Sequence, residues 1–127
     1  MRVNRLKLKL QLVCGDVFAI GPGKAEVLEA IDREGSISAA GRALGMSYRR
    51  IWLLADEMNR CFENKLIETQ KGGNADRGAK LTEAGRSVLN DFRALESRAA
   101  AALTSDPAYT GLLSQVRDTP LPPKPTR

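Results

Sequence analysis

Two short helical patterns separated by one glycine constrain this chain more than any other feature. Ser36 and Ser47 each precede such a pattern, as residues that cap helix N-termini commonly do, and Gly45 separates the two. The apolar residues of the second pattern recur at helical spacing. They are Ile51, Leu54, Ala55, Met58 and Phe62. Two short helices joined by a tight glycine turn predict a helix-turn-helix.

The second of these helices carries two arginines, Arg49 and Arg50, in its first turn. Positive charge at a helix N-terminus opposes the macrodipole and costs about 0.3–1 kcal/mol per charge at low salt. A polyanion bound at this end would offset that cost, and DNA meets this part of the second helix in a helix-turn-helix. The alternative is two solvated arginines without a partner.

Other residues on the outer side of the second helix extend the candidate surface. Leu53 points outward and could contact a thymine methyl group, although single exposed leucines are common. Tyr48 and Trp52 lie along one flank. Tyr48 could pack its ring or offer its hydroxyl to a phosphate, whereas Trp52 is interpreted as a packing residue rather than a base-stacking one.

A strand, a loop and a second strand follow the helix-turn-helix and predict a wing. The strands are expected at 66–71 and 79–81, around the glycine-rich loop 72–78. Arg77 and Lys80 would then meet backbone phosphate or the minor groove. A solvated hairpin tip is the alternative. The predicted DNA-binding residues are Ser47, Tyr48, Arg49, Arg50, Leu53, Arg77 and Lys80.

The N-terminal segment alternates polar and apolar residues. Leucines at every second position from Leu6 to Leu12 predict one half-buried strand over residues 5–13. Gly15-Asp16 predicts a turn and residues 17–20 a return strand, which together form a hairpin. Gly21-Pro22 then opens a helix that ends at Gly35.

The C-terminal part begins with a long helix. Thr82 is the expected N-cap, and the helix should run to about Leu103. Two adjacent apolar stripes need more covering surface than a small domain supplies, so this helix is expected to form a homodimer. The candidate dimerisation residues are Leu89, Phe92, Leu95 and Leu103. Residues 1–103 would form the domain, and the polar, proline-rich residues 104–127 a disordered tail.

These elements define the predicted fold class as mainly α with small β. The architecture is a winged helix-turn-helix with an N-terminal β-hairpin and a long C-terminal dimerisation helix. A chain of 127 residues suits one such domain. Its net charge of +5 favours an anionic partner.

Composition also argues against several functions. The sequence has no histidine and only two cysteines, Cys14 and Cys61, which favours reduced thiols over a zinc site or a disulfide. No phosphate-binding loop or nucleophile–base pair is found. We therefore expect no enzyme activity, cofactor, metal or membrane association. We also expect a cytoplasmic location, because no secretory signal is recognised.

The run from Gly35 to Trp52, "GSISAAGRALGMSYRRIW", resembles the DNA-binding domain of ModE-type molybdate-responsive transcription regulators. The resemblance continues through "EMN" (57–59), "LIET" (66–69), "GG" (72–73) and "LTEAG" (81–85), and spans about residues 6–103. "LTEAG" after a wing is shared with LysR-type winged helices. The resemblance implies a dimeric winged helix-turn-helix with residues 47–50 at the DNA.

The sequence also departs from that family. Full-length members carry a C-terminal molybdate-binding module, and the residues after 103 are too few to form its β-barrels. We therefore expect double-stranded DNA binding without molybdate sensing in this chain, with a separate effector protein as a possible source of the signal. The alternative function is a winged helix that docks on an acidic protein instead of DNA.

Overall fold

The structure is a computed structural model that describes residues 1–70 and 78–125. Its helices are α1 (Pro22–Glu34), α2 (Ile37–Leu44), α3 (Tyr48–Cys61), α4 (Glu83–Thr104) and α5 (Pro107–Leu113). Its strands are β1 (Arg2–Val3), β2 (Leu6–Lys7), β3 (Leu12–Cys14), β4 (Val17–Ile20), β5 (Ile67–Thr69) and β6 (Ala79–Leu81). The predicted class, mainly α with small antiparallel sheets, is confirmed.

Helix α1 lies at the centre of the domain. Its apolar residues Val27, Leu28 and Ile31 are fully buried, because α2, α3, α4 and strands β4 and β6 all pack around this helix. Gly35 ends it in the left-handed conformation at φ 82°, which glycine adopts without the strain of a side chain. Burial of this helix on several sides explains why small apolar residues such as Ala25 and Ala30 recur between its charged ones.

Helices α2 and α3 form the predicted helix-turn-helix. Ser36 Oγ accepts from Ala39 N at 3.0 Å and Ser47 Oγ from Arg50 N at 3.1 Å, so both predicted caps are confirmed. A Cβ on Gly41 would lie 3.1 Å from the Met46 carbonyl oxygen and 3.2 Å from Ile51 Cγ2. The absent side chain at residue 41 therefore lets α2 approach the start of α3 closely.

The wing is a two-stranded antiparallel sheet in which Ile67 pairs with Leu81 and Thr69 with Ala79. It is fixed to the helices, because Ala79 N donates to Gly35 O at 2.8 Å and Ser36 forms a bridge with Gly78. The predicted loop 72–78 and the end of the predicted first strand at residue 71 lie outside the described residues, except for Gly78.

The prediction of one strand over residues 5–13 is wrong. The segment changes partner along its length, since β2 pairs with β1 and β3 pairs with β4. Asn4 turns the chain at φ 54° between β1 and β2, and the register shifts between Leu12 and Val13. This irregularity leaves Leu12 56% exposed, whereas Leu6, Leu8 and Leu10 are half-buried as the alternation predicts.

Helix α4 begins at the predicted cap, where Thr82 Oγ1 accepts from Gly85 N at 3.0 Å. Its buried side contains Phe92, Glu96 and Ala100. Glu96 is only 2% exposed and pairs with Arg93 at 2.7 Å, and Arg93 also pairs with Glu29 of α1. These ion pairs and the burial of Phe92 fix the rotation of α4 against α1.

The segment predicted as a disordered tail includes one further helix. Asp106 caps α5 by accepting from Ala108 N at 2.8 Å, and Pro107 occupies the first turn. Residues 107–113 are therefore not irregular chain, although the division into a domain and a tail stays a prediction. Within the described residues, 1–70 and 78–125, no helix is long and apolar enough to cross a membrane.

Candidate nucleic-acid interface

The first turn of α3 is the most exposed part of the helix-turn-helix. Tyr48 is 55% exposed, and Arg49 and Arg50 are also exposed. The side chain of Ser47 satisfies the Arg50 amide, but the backbone N–H groups of Tyr48 and Arg49 find no acceptor within the described residues. Free amides and two cations therefore point out of the same helix end.

Arg49 and Arg50 have no carboxylate partner within the described residues, which on the other helices is true only of Arg42 and Arg98. The other arginines on the helices mostly form ion pairs: Arg33 with Glu34, Arg60 with Asp56, Arg86 with Asp32, and Arg93 with Glu29 and Glu96. The hydrogen bond and charge of Asp56 raise the pKa of Arg60, which stabilises that cation within its own pair. The charges of Arg49 and Arg50 are available for an external anion.

A groove runs between α3 and the wing. Trp52 is 44% exposed and lines this groove together with Asn59, Lys65 and Thr69. Trp52, predicted to be a packing residue, buries part of its surface, but nearly half of the residue remains exposed. Leu53, 47% exposed, lies beside Arg49 and Arg50 at the start of α3.

The wing brings one further predicted site residue to the surface. Lys80 is exposed at the centre of β6, directly opposite Glu68 on β5. This neighbour places a negative charge beside it and lowers the net positive charge of the two strands. The predicted contact residue Arg77 lies outside the described residues.

The sequence reasoning missed a second basic element near α3. Lys9 is one of the polar residues that alternate with the N-terminal leucines, and it lines a groove that also contains Gln11, Leu54 and Arg50. The chain between β2 and β3 therefore extends the positive surface on the side of Arg50. The alternating pattern gave no indication of this proximity, because it depends on the path of an unpaired segment.

Asn59 is a second residue whose role the sequence did not reveal. Its Oδ1 accepts from Leu66 N at 2.8 Å and Ile67 N at 3.0 Å, and its Nδ2 donates to Ile67 O at 3.0 Å. The side chain thus fixes the start of β5 to the C-terminal end of α3. This contact sets the position of the wing relative to α3 and its exposed first turn.

A buried ion pair anchors the other side of α3. Lys24 of α1 is 8% exposed, and its ammonium group donates to the Phe18 carbonyl oxygen and to the Glu57 carboxylate. The pair links α1, the N-terminal hairpin and α3. Removal of Glu57 would leave the Lys24 charge buried without this partner, so the contact favours one rotation of α3.

The four predicted dimerisation residues divide into two pairs. Phe92 is 5% exposed and Leu89 is half-buried, and both pack against the domain's own core. Leu95 and Leu103 are 57% and 42% exposed. The orientation of α4 against the core therefore divides these four residues, and of them only Leu95 and Leu103 are available for a second copy.

No group of three or more cysteine, aspartate or glutamate side chains within residues 1–70 and 78–125 is arranged to hold a metal ion. The site is therefore defined by cations, free backbone amides and aromatic surface at a helix-turn-helix with a wing. Fold and site together define a winged helix-turn-helix protein.

Comparison with known proteins identifies the family. Residues 23–86 match the family described as bacterial regulatory helix-turn-helix protein, lysR family. This match covers half of the chain and spans α1, the helix-turn-helix, the wing and the start of α4. The chain belongs to this family.

Individual relatives confirm the resemblance to molybdenum-responsive regulators. The chain is 37% identical over 66% of its length to the molybdenum-pterin-binding protein MopA of Rhodobacter capsulatus, covering 32% of that protein. It is 33% identical over 76% of its length to the molybdenum transport protein ModE of Azotobacter vinelandii, covering 36% of it. It thus spans about a third of these relatives. A solved structure, the full-length regulator LysG of Corynebacterium glutamicum, aligns at 23% identity and a TM-score of 0.47, over 66% of this chain and 28% of that one.

Proposed function

We propose that this chain is a ModE-like transcription regulator that binds double-stranded DNA with sequence preference. The observation that carries the proposal is the exposed N-terminal turn of α3, where Arg49 and Arg50 lack carboxylate partners in the described part of the chain. A duplex supplies the negative charge that offsets two cations at a helix N-terminus. The family match supports the same function.

Each residue of the surface has a distinct role in this proposal. Arg49 and Arg50 are suited to forked contacts with guanine or phosphate. The free amides at Tyr48 and Arg49 bind a phosphate at the helix end, and Ser47 holds that end in place. The wing lies along the neighbouring backbone and presents Lys80 and Arg77 to it.

We further propose that the protein acts as a homodimer. Leu95 and Leu103 project from α4 as exposed apolar side chains, and a second copy of α4 would remove them from water. A two-fold dimer places two reading helices on successive half-sites of a palindromic operator. The proposed interface lies on α4 and leaves the first turn of α3 free.

The finer features of the proposal concern regulation. The names of these relatives refer to molybdenum, so we connect the proposed regulator with molybdenum, with the signal supplied by a separate effector protein. We propose no catalytic activity and a cytoplasmic location. The alternative of docking on an acidic protein is less favoured, because a projecting helix end with free amides fits a groove better than a flat surface.

Selection from randomised duplex DNA, followed by a salt titration of the best sequence, tests the proposal. About six phosphate contacts predict a roughly 1,000-fold loss of affinity between about 50 and 200 mM salt. A scrambled duplex of equal length is the control for sequence preference. Failure to enrich any duplex, or affinity independent of salt, would contradict DNA binding.

A further inference from the structure

The fold brings together the only two cysteines of the sequence, although 46 residues separate them in the chain. Cys14 is the last residue of β3 and Cys61 the last residue of α3. The Sγ atom of Cys14 lies 3.9 Å from the backbone carbonyl oxygen of Cys61. A carbonyl oxygen lies about 2.4 Å from its own Cα, so this sulfur is within roughly 6 Å of the Cys61 Cα.

This placement suits a bond between the two sulfurs. The Cys61 sulfur is carried on the side chain of that same Cα, and rotation about one side-chain bond moves a sulfur by several ångströms, so the two sulfurs can be brought together. Both residues stand at element ends, with Gly15 in the left-handed conformation at φ 58° directly after Cys14. Small adjustments there do not require the core to move.

We propose that Cys14 and Cys61 form a reversible redox site, a dithiol that low-molecular-weight disulfides convert into an intramolecular disulfide. The oxidant is a compound of the glutathione disulfide class, which supplies the two oxidising equivalents. The site is separate from the proposed DNA surface, because Cys61 lies at the opposite end of α3 from Arg49 and Arg50.

The reaction proceeds in two exchanges. The thiolate of Cys14 attacks one sulfur of the small disulfide, whose S–S bond breaks and releases one thiolate. The thiolate of Cys61 then attacks the Cys14 sulfur of the mixed disulfide and releases the second. Each cysteine loses one proton, each released thiolate takes one up, and the net products are a protein disulfide and two small thiols.

The environment of Cys61 agrees with this order of events. Desolvation is the largest cause that raises the pKa of the Cys61 thiol, and the hydrogen bond and charge of Cys14 raise it further. Cys61 therefore remains protonated at neutral pH and serves as the resolving thiol, while Cys14 makes the first attack. The second exchange should accelerate as the pH rises, because more Cys61 becomes thiolate.

The resulting cross-link joins the N-terminal hairpin to the C-terminal end of α3. These elements are already in contact, through packing of β4 on α3 and through the Lys24–Glu57 pair. The bond closes a long loop that contains all of α1 and α2, and cross-links of long loops restrict the unfolded chain strongly. Oxidation would therefore make this half of the domain harder to unfold.

The test treats the reduced full chain with glutathione disulfide at neutral pH and follows thiol content and intact mass. We expect both thiols to disappear together, a mass loss of about 2 units, and one cross-linked peptide that contains Cys14 and Cys61. The oxidised protein should melt about 5 °C or more above the reduced protein, and a reductant should reverse the shift.

Cys14→Ser and Cys61→Ser are matched controls, because each removes one sulfur and keeps a small polar side chain. Cys61→Ser should instead retain one glutathione adduct, a gain of about 305 mass units, whereas Cys14→Ser should form that adduct more slowly, because its remaining thiol stays protonated. Glutathione adducts on both cysteines of the wild type, cross-linked dimers, or a melting temperature lowered by the intramolecular bond would each overturn the proposal. None of these outcomes depends on DNA binding.

Discussion

Helices α3 and α4 begin in the same way and end up with opposite outer surfaces. Ser47 and Thr82 each accept a hydrogen bond from the amide three residues ahead, at 3.1 Å and 3.0 Å. Each helix buries one face in the same core. The first turn of α3 presents Arg49 and Arg50, which have no carboxylate partner in the described part of the chain, whereas the outer face of α4 presents Leu95 and Leu103 as well as charged residues.

The difference shows which part of a helix carries information about function. Burial of Ile51 in α3 and Phe92 in α4 stabilises the domain, and such burial would be expected in any fold of this kind. The exposed residues are free of that constraint. Cations near free amides suit a polyanion, and apolar side chains on a terminal helix suit a second protein surface.

The largest expected effect is on DNA affinity, which should depend on the outer face of α3 and not on that of α4. Arg49→Ala and Arg50→Ala should each weaken binding by about 1–3 kcal/mol and leave unfolding unchanged, since both side chains point away from the core. A base-reading arginine relaxes preference at one position, and a phosphate-binding arginine lowers the salt slope by about one. Competition binding at several salt concentrations measures both.

Arg98→Ala is the matched control for those variants, because Arg98 is an exposed arginine on α4. It should bind DNA like the wild type. Wild-type affinity in the Arg49→Ala/Arg50→Ala double variant would refute the assignment of the α3 face.

The second effect concerns the junction between α4 and the wing. A Cβ at Gly85 would lie 2.2 Å from the Leu66 carbonyl oxygen, which is backbone and cannot rotate away. Gly85→Ala should therefore lower the free energy of unfolding by about 3 kcal/mol. Urea denaturation measures this loss.

Gly23→Ala is the corresponding control, because an added Cβ there has no neighbour within 4 Å. It should be neutral or stabilising by up to about 1 kcal/mol. Equal stability of the two variants would show that the stability of the domain does not depend on the close approach of α4 to β5.

The third effect isolates the outer face of α4. Leu95→Asp or Leu103→Asp should weaken association of two copies by about 2 kcal/mol, because each places a charge in an apolar contact. Sedimentation at micromolar concentration should show monomers that remain folded. Leu112→Asp, on α5 and more exposed than either leucine, should leave the dimer intact. A wild type that is monomeric under these conditions would contradict the proposed dimer.

The fourth effect compares the two helix caps directly. Ser47→Ala should cost about 1 kcal/mol of stability through loss of its cap. Thr82→Ala should cost about 1 kcal/mol more, because Thr82 Oγ1 also donates to Lys65 O at 2.6 Å. Chemical denaturation of both variants measures the two losses of stability, and Ser97→Ala, exposed in the middle of α4, is the control. A larger loss for Ser47→Ala than for Thr82→Ala would contradict this prediction.

The smallest expected effect is that of molybdate. Tight oxyanion binding needs several donors that converge in a closed pocket. The described surface offers instead open helix ends and scattered arginines. Micromolar molybdate should therefore leave DNA affinity of the 127-residue chain unchanged, with sulfate as the control. Stoichiometric molybdate uptake that changes DNA affinity would place a sensing site in this chain.

Much of the candidate site could be predicted because it depends on near neighbours in the sequence. Ser47 caps α3 through an amide three residues ahead, and Gly45 ends α2 in the left-handed conformation at φ 68°. The period of 3.6 residues then puts Ile51, Ala55 and Met58 inside and Arg49 outside. The groove neighbours of this face, Lys9 and Thr69, come from distant parts of the chain and could not be predicted.

What the sequence alone determined was the order of elements, their caps and the exposed basic turn of α3, since all of these depend on local chemistry. Only the tertiary structure decided that Phe92 faces the core and Leu95 the solvent, because Phe92 packs into the core and Arg93 pairs with Glu29 of α1. It also decided that the strand predicted over residues 5–13 divides between two partners. Strand pairing and helix rotation depend on residues far along the chain, and a pattern read along one segment does not contain them.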